Sequence, residues 1–371
     1  MNIGFLISST GWGGLEMNTL KLAQEFKING FNLSLITTKK STILKNSREE
    51  FKNTIIIEKK RKYFDLGCAK DLANKLKSYK IDYLLVFDNK DLDLITWTKK
   101  IYFKSLHIIY QQHMQIGINK KDFLHTLRYN NLDKWITPLE YLKDELVLRT
   151  KIKENKIEKI QIGLDIQSYN TEINRVECRN QLLLNENEFV IGIIGRISPK
   201  KGQFLIIKLL HERLINSSNL KLLIMGSATI NDPECQQYEK DIIQYIESNK
   251  LEEKIILVPH NENVSIFYKA IDLFVLASEK ETYGMVTLEA LLFNKIILAS
   301  NSGGTNEILK NGELGFLFDI NNPTNFNEIL NQIITNKDEA EEKAKLGYNE
   351  IMENYSKKSE FERIKNLICN L

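Results

Sequence analysis

The sequence predicts an α/β protein of two parallel-sheet domains facing a central cleft, and three observations predict it. The chain has 371 residues, more than one hydrophobic core ordinarily serves, so two domains of about 150 to 200 residues are expected. Short apolar runs of strand length alternate with amphipathic segments of helical period, the pattern of a parallel sheet with crossover helices. That alternation occurs twice, on either side of a polar segment from Gln161 to Asn174 that contains Gly163 and Asp165.

In the first half, the apolar runs at residues 3–8, 32–37, 54–57, 83–87, 106–110 and 134–136 read as strands, and residues 15–26 and 66–76 read as helices between them. In the second half, strands are expected at 189–194, 221–225, 255–258, 273–276, 296–299 and 315–318, again alternating with helices. Residues 1–165 and 166–356 are therefore two Rossmann-like domains with a hinge near Gly163–Asp165. A last helix over 357–371 follows the second sheet in sequence and is free to pack back on the first domain.

Composition narrows the partners. Hydrophobic residues make up 43% and the net charge is only +3, but residues 1–165 hold 29 Lys and Arg against 19 Asp and Glu, a balance of +10 that leaves −7 for the rest. A basic half favours an anionic partner, a membrane surface or an acidic acceptor, unless it is simply a solvated face. Nucleic acid fits less well, because the longest basic run is Lys59-Lys60-Arg61-Lys62 and no nucleic-acid module is present. Cys68, Cys178, Cys235 and Cys369 lack C-x-x-C spacing, which argues against a zinc ribbon or a disulfide framework and for a reducing compartment. A strand begins directly after Met1, and no apolar run reaches about 18 residues, so a cytoplasmic protein without a membrane span is expected, with peripheral contact at the inner face of the membrane allowed by the basic half.

Ligands of such sheets sit at the carboxyl ends of strands, so the loops that follow strands carry the functional signal. Glu281-Thr282-Tyr283-Gly284-Met285-Val286-Thr287-Leu288-Glu289 is the most informative of them. It crosses from a strand into a helix, with Glu281 in the turn and Glu289 on the helix. About five residues of helix rise roughly 7.5 Å, so the two carboxylates suit hydroxyls at opposite ends of a ligand whose middle is a dianionic diphosphate. The open N–H groups and positive dipole end of the first helical turn favour that diphosphate. A sugar diphosphonucleoside has this shape.

Four other loops belong with it. Gly195-Arg196-Ile197-Ser198-Pro199-Lys200-Lys201-Gly202 places three cations within six residues, enough to clamp a diphosphate, where a solvated surface cluster is the alternative. Asn301-Ser302-Gly303-Gly304-Thr305-Asn306-Glu307 joins paired glycines to a helix start, and its backbone is able to approach a phosphate. The turn around Gly11, Gly13 and Gly14 is able to cradle a phosphate or a sugar, or is a plain strand-to-helix turn; its glycines do not have dinucleotide spacing. Tyr110-Gln111-Gln112-His113-Met114-Gln115 would set a histidine and glutamines on the opposite wall of the cleft, although a lone histidine is more often structural.

At this point the residues resemble the retaining glycosyltransferases of family 4, which have the two-domain GT-B fold. Glu281 to Glu289 matches their E-x7-E motif, and Gly195-Arg196…Lys201-Gly202 looks like their diphosphate-binding segment. Gly13-Gly14-Leu15-Glu16 looks like their Gly-Gly-x-Glu loop, Ile162-Gly163-Leu164-Asp165 like the segment entering their second domain, and Ser302-Gly303-Gly304…Glu307 with Asn311-Gly312…Gly315-Phe316-Leu317 like their closing loop. The resemblance implies an acceptor-binding first domain and a donor-binding second domain. It implies that Arg196 and Lys201 bind the donor diphosphate, that Glu281 and the backbone of Tyr283, Gly284, Met285 and Val286 hold the transferred sugar, that Glu289 takes the ribose, that Gly13 and Gly14 border the donor, and that His113 is the first-domain histidine near the reacting centre. UDP or GDP is the expected nucleotide and a glycan or lipid-linked hydroxyl the expected acceptor, in polysaccharide or lipopolysaccharide assembly.

For mechanism, both Glu281 and Glu289 have ligand-holding roles, which favours electrostatic stabilisation of the leaving diphosphate over a covalent nucleophile. Arg196 and Lys201 can do the electrostatic work of a metal, so neither a metal nor a cofactor is expected. Asp91-Leu92-Asp93 has D-x-D spacing but reads as a solvated helix start. The competing readings are an epimerase or a sugar-phosphate synthase of the same fold, and a non-catalytic sugar-binding subunit. An NAD dehydrogenase is disfavoured by the missing G-x-G-x-x-G.

Overall fold

The computed structural model describes residues 1–47, 49–58, 64–261 and 263–371, and the basic run Lys59–Lys62 lies outside them. The chain forms two compact units, Met1–Gly163 with Tyr355–Leu371, and Leu164–Asn354.

The first unit holds a seven-stranded sheet: β1 (Asn2–Leu6), β2 (Asn32–Thr37), β3 (Asn53–Ile56), β4 (Tyr83–Val86), β5 (His107–Gln111), β6 (Lys134–Thr137) and β7 (Ile157–Lys159), in the order β3-β2-β1-β4-β5-β6-β7. Its strand pairs are parallel, with Ile3 in register with both Leu33 and Tyr83. Both faces are covered, which is why the strands read as nearly unbroken apolar runs. Ile3, Phe5 and Ile7 pack on one side with Phe26, Phe361 and Ile364, while Leu6, Ile36 and Leu84 pack on the other with Leu72 and Trp135. β7 was not expected from the sequence: it is three residues, Ile-Glu-Lys, at the sheet edge, too short and too polar to show a period.

The helix Lys357–Cys369 belongs to this unit although it follows the second one in sequence. Phe361 meets Phe26 edge-on at 4.7 Å between ring centres, and Ile364 and Ile368 are buried beside it. A buried ion pair sits at its first turn, Lys357 Nζ to Glu360 Oε2 at 2.7 Å. Glu360 also accepts from the Gly163 N–H at 2.9 Å and from Gln111 Nε2 at 2.6 Å. Gly163 has no room for a side chain, since a Cβ there would lie 2.2 Å from the Ser356 carbonyl oxygen. The outgoing and returning segments of the chain thus touch at Gly163, where Glu360 fastens them, and again where Arg363 donates to Gln161.

The Asp91-Leu92-Asp93 segment does start a helix, Leu92–Trp97, but it is not solvated. Asp91 is fully buried and accepts from the Ser8 hydroxyl at 2.6 Å and the Ser8 N–H at 3.0 Å. Asp93 pairs with Arg128 at 3.0 Å. The Ser8–Asp91 bonds fasten together the loops after β1 and β4, the two strands between which the strand order reverses.

The second unit holds a six-stranded parallel sheet: β8 (Phe189–Ile194), β9 (Leu220–Met225), β10 (Ile255–Val258), β11 (Leu273–Leu276), β12 (Ile296–Ser300) and β13 (Phe316–Phe318), ordered β10-β9-β8-β11-β12-β13. Its amino edge is pinned by Arg179, which is fully buried, pairs with Asp272 at 2.7 Å and donates to the carbonyls of Asn185, Glu186 and Glu188. A buried guanidinium is tolerable only with its donors satisfied in this way. The strand order reverses between β8 and β11, so the loops that follow those strands flank the place where such sheets bind ligands.

Candidate active site

The loop after β8 is shaped by glycine. Gly202 adopts φ 70, and a Cβ there would lie 2.2 Å from the Ala277 carbonyl oxygen, so only glycine lets this loop press against the end of β11. The Glu279 N–H then donates to the Lys200 carbonyl at 3.1 Å, joining the two loops through their backbones. Across that seam Lys201 Nζ lies 2.6 Å from Glu281 Oε2, and the Ser278 hydroxyl donates to the same oxygen at 3.1 Å. The structure therefore brings together two residues, 80 apart in sequence, that were singled out from separate loops. Both are partly exposed, so their attraction contributes little to stability. Its consequence is placement of a cation beside a carboxylate at the strand ends.

The loop after β12 is fastened to the same turn. The hydroxyls of Ser300 and Ser302 donate to the Ser278 carbonyl at 2.7 and 2.8 Å. The Gly304 N–H donates to the Glu281 carbonyl at 2.9 Å, and Gly303, at φ 56, comes so close that a Cβ would sit 2.1 Å from that oxygen. The Gly304 N–H of this loop is thus spent on holding Glu281. Gly284, at φ 92, then turns the chain into the helix Met285–Leu292, whose first-turn N–H groups include those of Met285 and Val286. The Tyr283 side chain is buried.

Glu289 lies one turn further along that helix. Tyr169 donates to its Oε1 at 2.8 Å and Tyr268 to its Oε2 at 2.9 Å, and the Tyr268 hydroxyl is also 3.1 Å from the Val286 carbonyl. Burial, and after it the Glu289 charge, pushes both phenols above their usual range, so both remain protonated donors. Arg196 is exposed, and among the described residues its guanidinium makes no hydrogen bond or ion pair; only its backbone carbonyl is used, by Gln203 at 2.9 Å. Its charge adds to the Cys235 hydrogen bonds that hold the Asp232 carboxyl below the ordinary range.

Gly13, Gly14 and His113 belong to the first unit. The Gly13 N–H is taken by Glu16 Oε2 at 2.9 Å at the start of the helix Gly14–Ile28, so this part of the glycine turn caps the helix. Gln111 and Gln112 do not face a ligand, contrary to expectation. Gln111 is bonded to Glu360, while Gln112 accepts from Trp135 Nε1 at 3.0 Å and donates to the Met114 carbonyl at 2.9 Å. Those bonds set His113, which is half-buried with its Nε2 buried and without a partner among the described residues. Burial, then the nearby Lys357 ammonium, pushes its pKa down to about 3, so the imidazole is neutral.

Tyr169, Tyr268 and Ser300 were not foreseen. Each sits in an ordinary context in the sequence, and its partner is close only in the folded chain; Tyr169 and Glu289 are 120 residues apart. Among the described residues no group of three or more His, Cys, Asp or Glu is placed to hold a metal ion, and no helix is long and apolar enough to cross a membrane.

Two Rossmann-like domains, with cations and carboxylates gathered at the carboxyl edge of the second sheet, define the GT-B class of fold. Residues 174–351, within the second unit, match the model of the family of glycosyl transferases group 1. The chain is 29% identical over 182 residues to the capsular polysaccharide biosynthesis glycosyltransferase CapM of Staphylococcus aureus, a match covering 48% of this chain and 46% of that protein. The match thus spans about half the length of that relative. It is 24% identical over 344 residues to an uncharacterized glycosyltransferase of Haemophilus influenzae, covering 90% of each. The crystal structure of Alr3699/HepE from Anabaena in complex with UDP superposes over 100% of both chains with a TM-score of 0.86 at 19% identity, a likeness of fold.

Proposed function

We propose that this protein is a retaining glycosyltransferase that moves a sugar from a nucleotide-sugar donor to a hydroxyl of a glycan or lipid-linked acceptor in cell-envelope polysaccharide or lipopolysaccharide assembly. The observation that carries this reading is the joined set of loops after β8, β11 and β12, which holds Lys201 against Glu281 while Glu289 lies on the helix that follows. The family match of the same domain supports it, and the relatives' names support the cell-envelope setting.

In this reading the donor diphosphate lies between Arg196 and Lys201 and the first turn of the helix Met285–Leu292. Lys201 then bridges the diphosphate and Glu281, and so keeps two anionic groups from repelling each other. Glu281 and the backbone of Tyr283 to Val286 hold the sugar, and Glu289 takes the ribose. As the bond to the anomeric carbon breaks, negative charge grows on the diphosphate, and the two cations stabilise it without reorganising. The acceptor hydroxyl attacks from the face the diphosphate leaves, and a diphosphate oxygen takes its proton, which retains the configuration without a covalent sugar on Glu281. A neutral His113 hydrogen-bonds a sugar hydroxyl and adds no positive charge. UDP or GDP is the nucleotude carried by the donor in this reading, the acceptor binds the first unit, and the basic balance of that half favours an anionic membrane surface.

The test is incubation of the purified protein with UDP-glucose, UDP-galactose, UDP-N-acetylglucosamine or GDP-mannose and a lipid-linked glycan fraction, with the product anomer assigned by NMR. An acceptor-dependent product of unchanged anomeric configuration is expected. Conversion of the donor in the absence of acceptor would favour the epimerase, inversion would end the retaining assignment, and a sugar trapped covalently on Glu281 would end the front-face mechanism.

A further inference from the structure

We infer that Tyr169 is a positioning residue for the donor nucleoside, acting through the Glu289 carboxylate. The inference rests on the donor-site reading above and adds to it a residue outside the strand-end loops. Tyr169 ends the short 3-10 turn Ile166–Tyr169, where the chain has just entered the second unit. It is held at three points: its carbonyl accepts from the Ser265 hydroxyl at 3.0 Å, its ring meets Phe293 edge-on at 6.1 Å, and its own hydroxyl donates to Glu289 Oε1 at 2.8 Å. Tyr268, stacked on the same Phe293 ring at 5.2 Å, takes the other carboxylate oxygen.

A glutamate on a helix surface has freely rotating side-chain bonds, and ordering it on ligand binding has an entropic cost. One donor on each oxygen, from two different elements, fixes the plane of the carboxylate before the ligand arrives. The chemistry of the donors matters as much as their number. A lysine or arginine at these distances would orient Glu289 and also cancel its charge. Phenol hydroxyls orient it and leave it anionic, which is the form that accepts hydrogen bonds from a ribose diol most strongly. Phe293 braces both rings, so the two tyrosines move as one support.

The test is titration of UDP, GDP and ADP into wild type, Tyr169→Phe, Glu289→Ala and the double variant, followed by ligand NMR so that weak binding remains measurable, together with kcat and KM for the donor. Tyr169→Phe keeps the ring and removes only the hydroxyl. It is expected to weaken the preferred nucleotide and raise the donor KM by about three- to tenfold, the scale of one net hydrogen bond, with kcat unchanged. In the Glu289→Ala background the same substitution is expected to add nothing, which a merely structural role would not produce. Undiminished affinity in Tyr169→Phe, or an equal loss in both backgrounds, would overturn the inference alone. Failure of wild type to bind any of the three nucleotides would overturn the donor reading and this inference with it.

Discussion

Lys201 and Glu281 meet at 2.6 Å where charge is expected to build during the reaction, while Arg196 stays exposed in the same loop. Replacing Lys201 or Arg196 with Ala is expected to lower kcat/KM at least tenfold each, since losing one preorganised stabilising group typically costs that much or more; near-normal rates in both variants would remove the diphosphate assignment. His113 gives a pH signature. Its pKa is lowered from 6.5 to about 3 by burial, so the folded protein keeps it neutral while the unfolded chain begins to charge it below 6.5. Its contribution to stability is complete above that pH and is lost as the pH falls toward 3. Urea unfolding should therefore show wild type losing more stability than His113→Gln between pH 7 and pH 4, and an equal loss in both would contradict a buried neutral imidazole. These residues were legible as candidates because charged residues and histidine at strand ends stand out in a sequence. The supporting tyrosines and serines did not, because a tyrosine in an apolar helix looks the same whether or not a carboxylate waits for it.

At the scale of elements, close backbone contacts organise the site. Gly303 is fixed both by φ 56 and by a 2.1 Å approach to the Glu281 carbonyl. Gly303→Ala is expected to displace the Glu281 turn and weaken donor binding at least tenfold, with the global fold kept as judged by circular dichroism; unchanged donor affinity would show that the loop tolerates a side chain. In the first unit, Glu360→Ala leaves Lys357 buried without its partner, a change expected to lower unfolding free energy by about 3 kcal/mol. Glu360→Gln, which keeps one acceptor oxygen for the Gly163 N–H, should lose less in the same denaturant titration, and equal losses would mean that charge is the whole of the effect. Most strands were legible to within two residues because buried parallel strands are continuous apolar runs. The edge strand β7 has almost no apolar content, and the burial of Asp91 depends on Ser8, 83 residues away. Neither leaves a local trace.

At the scale of the whole chain, doubled alternation of strands and helices was enough to give two domains, and the glycines and cations at strand ends are what the proposal of a donor site in the second rests on. The first unit is discontinuous in sequence, and its last helix was legible as a helix but not as a part of that unit. What assigns it is a set of side chains, Phe361, Ile364 and Ile368, that fill a core whose other members come from residues 3 to 160. The central claim is that the second unit binds a nucleotide through Glu289. Calorimetric titration of UDP, GDP, ADP, CMP and dTDP into wild type and Glu289→Ala tests it most directly. One nucleotide clearly preferred by wild type and weakened in the variant is the expected result; absence of binding to all five, or binding indifferent to Glu289, would contradict it.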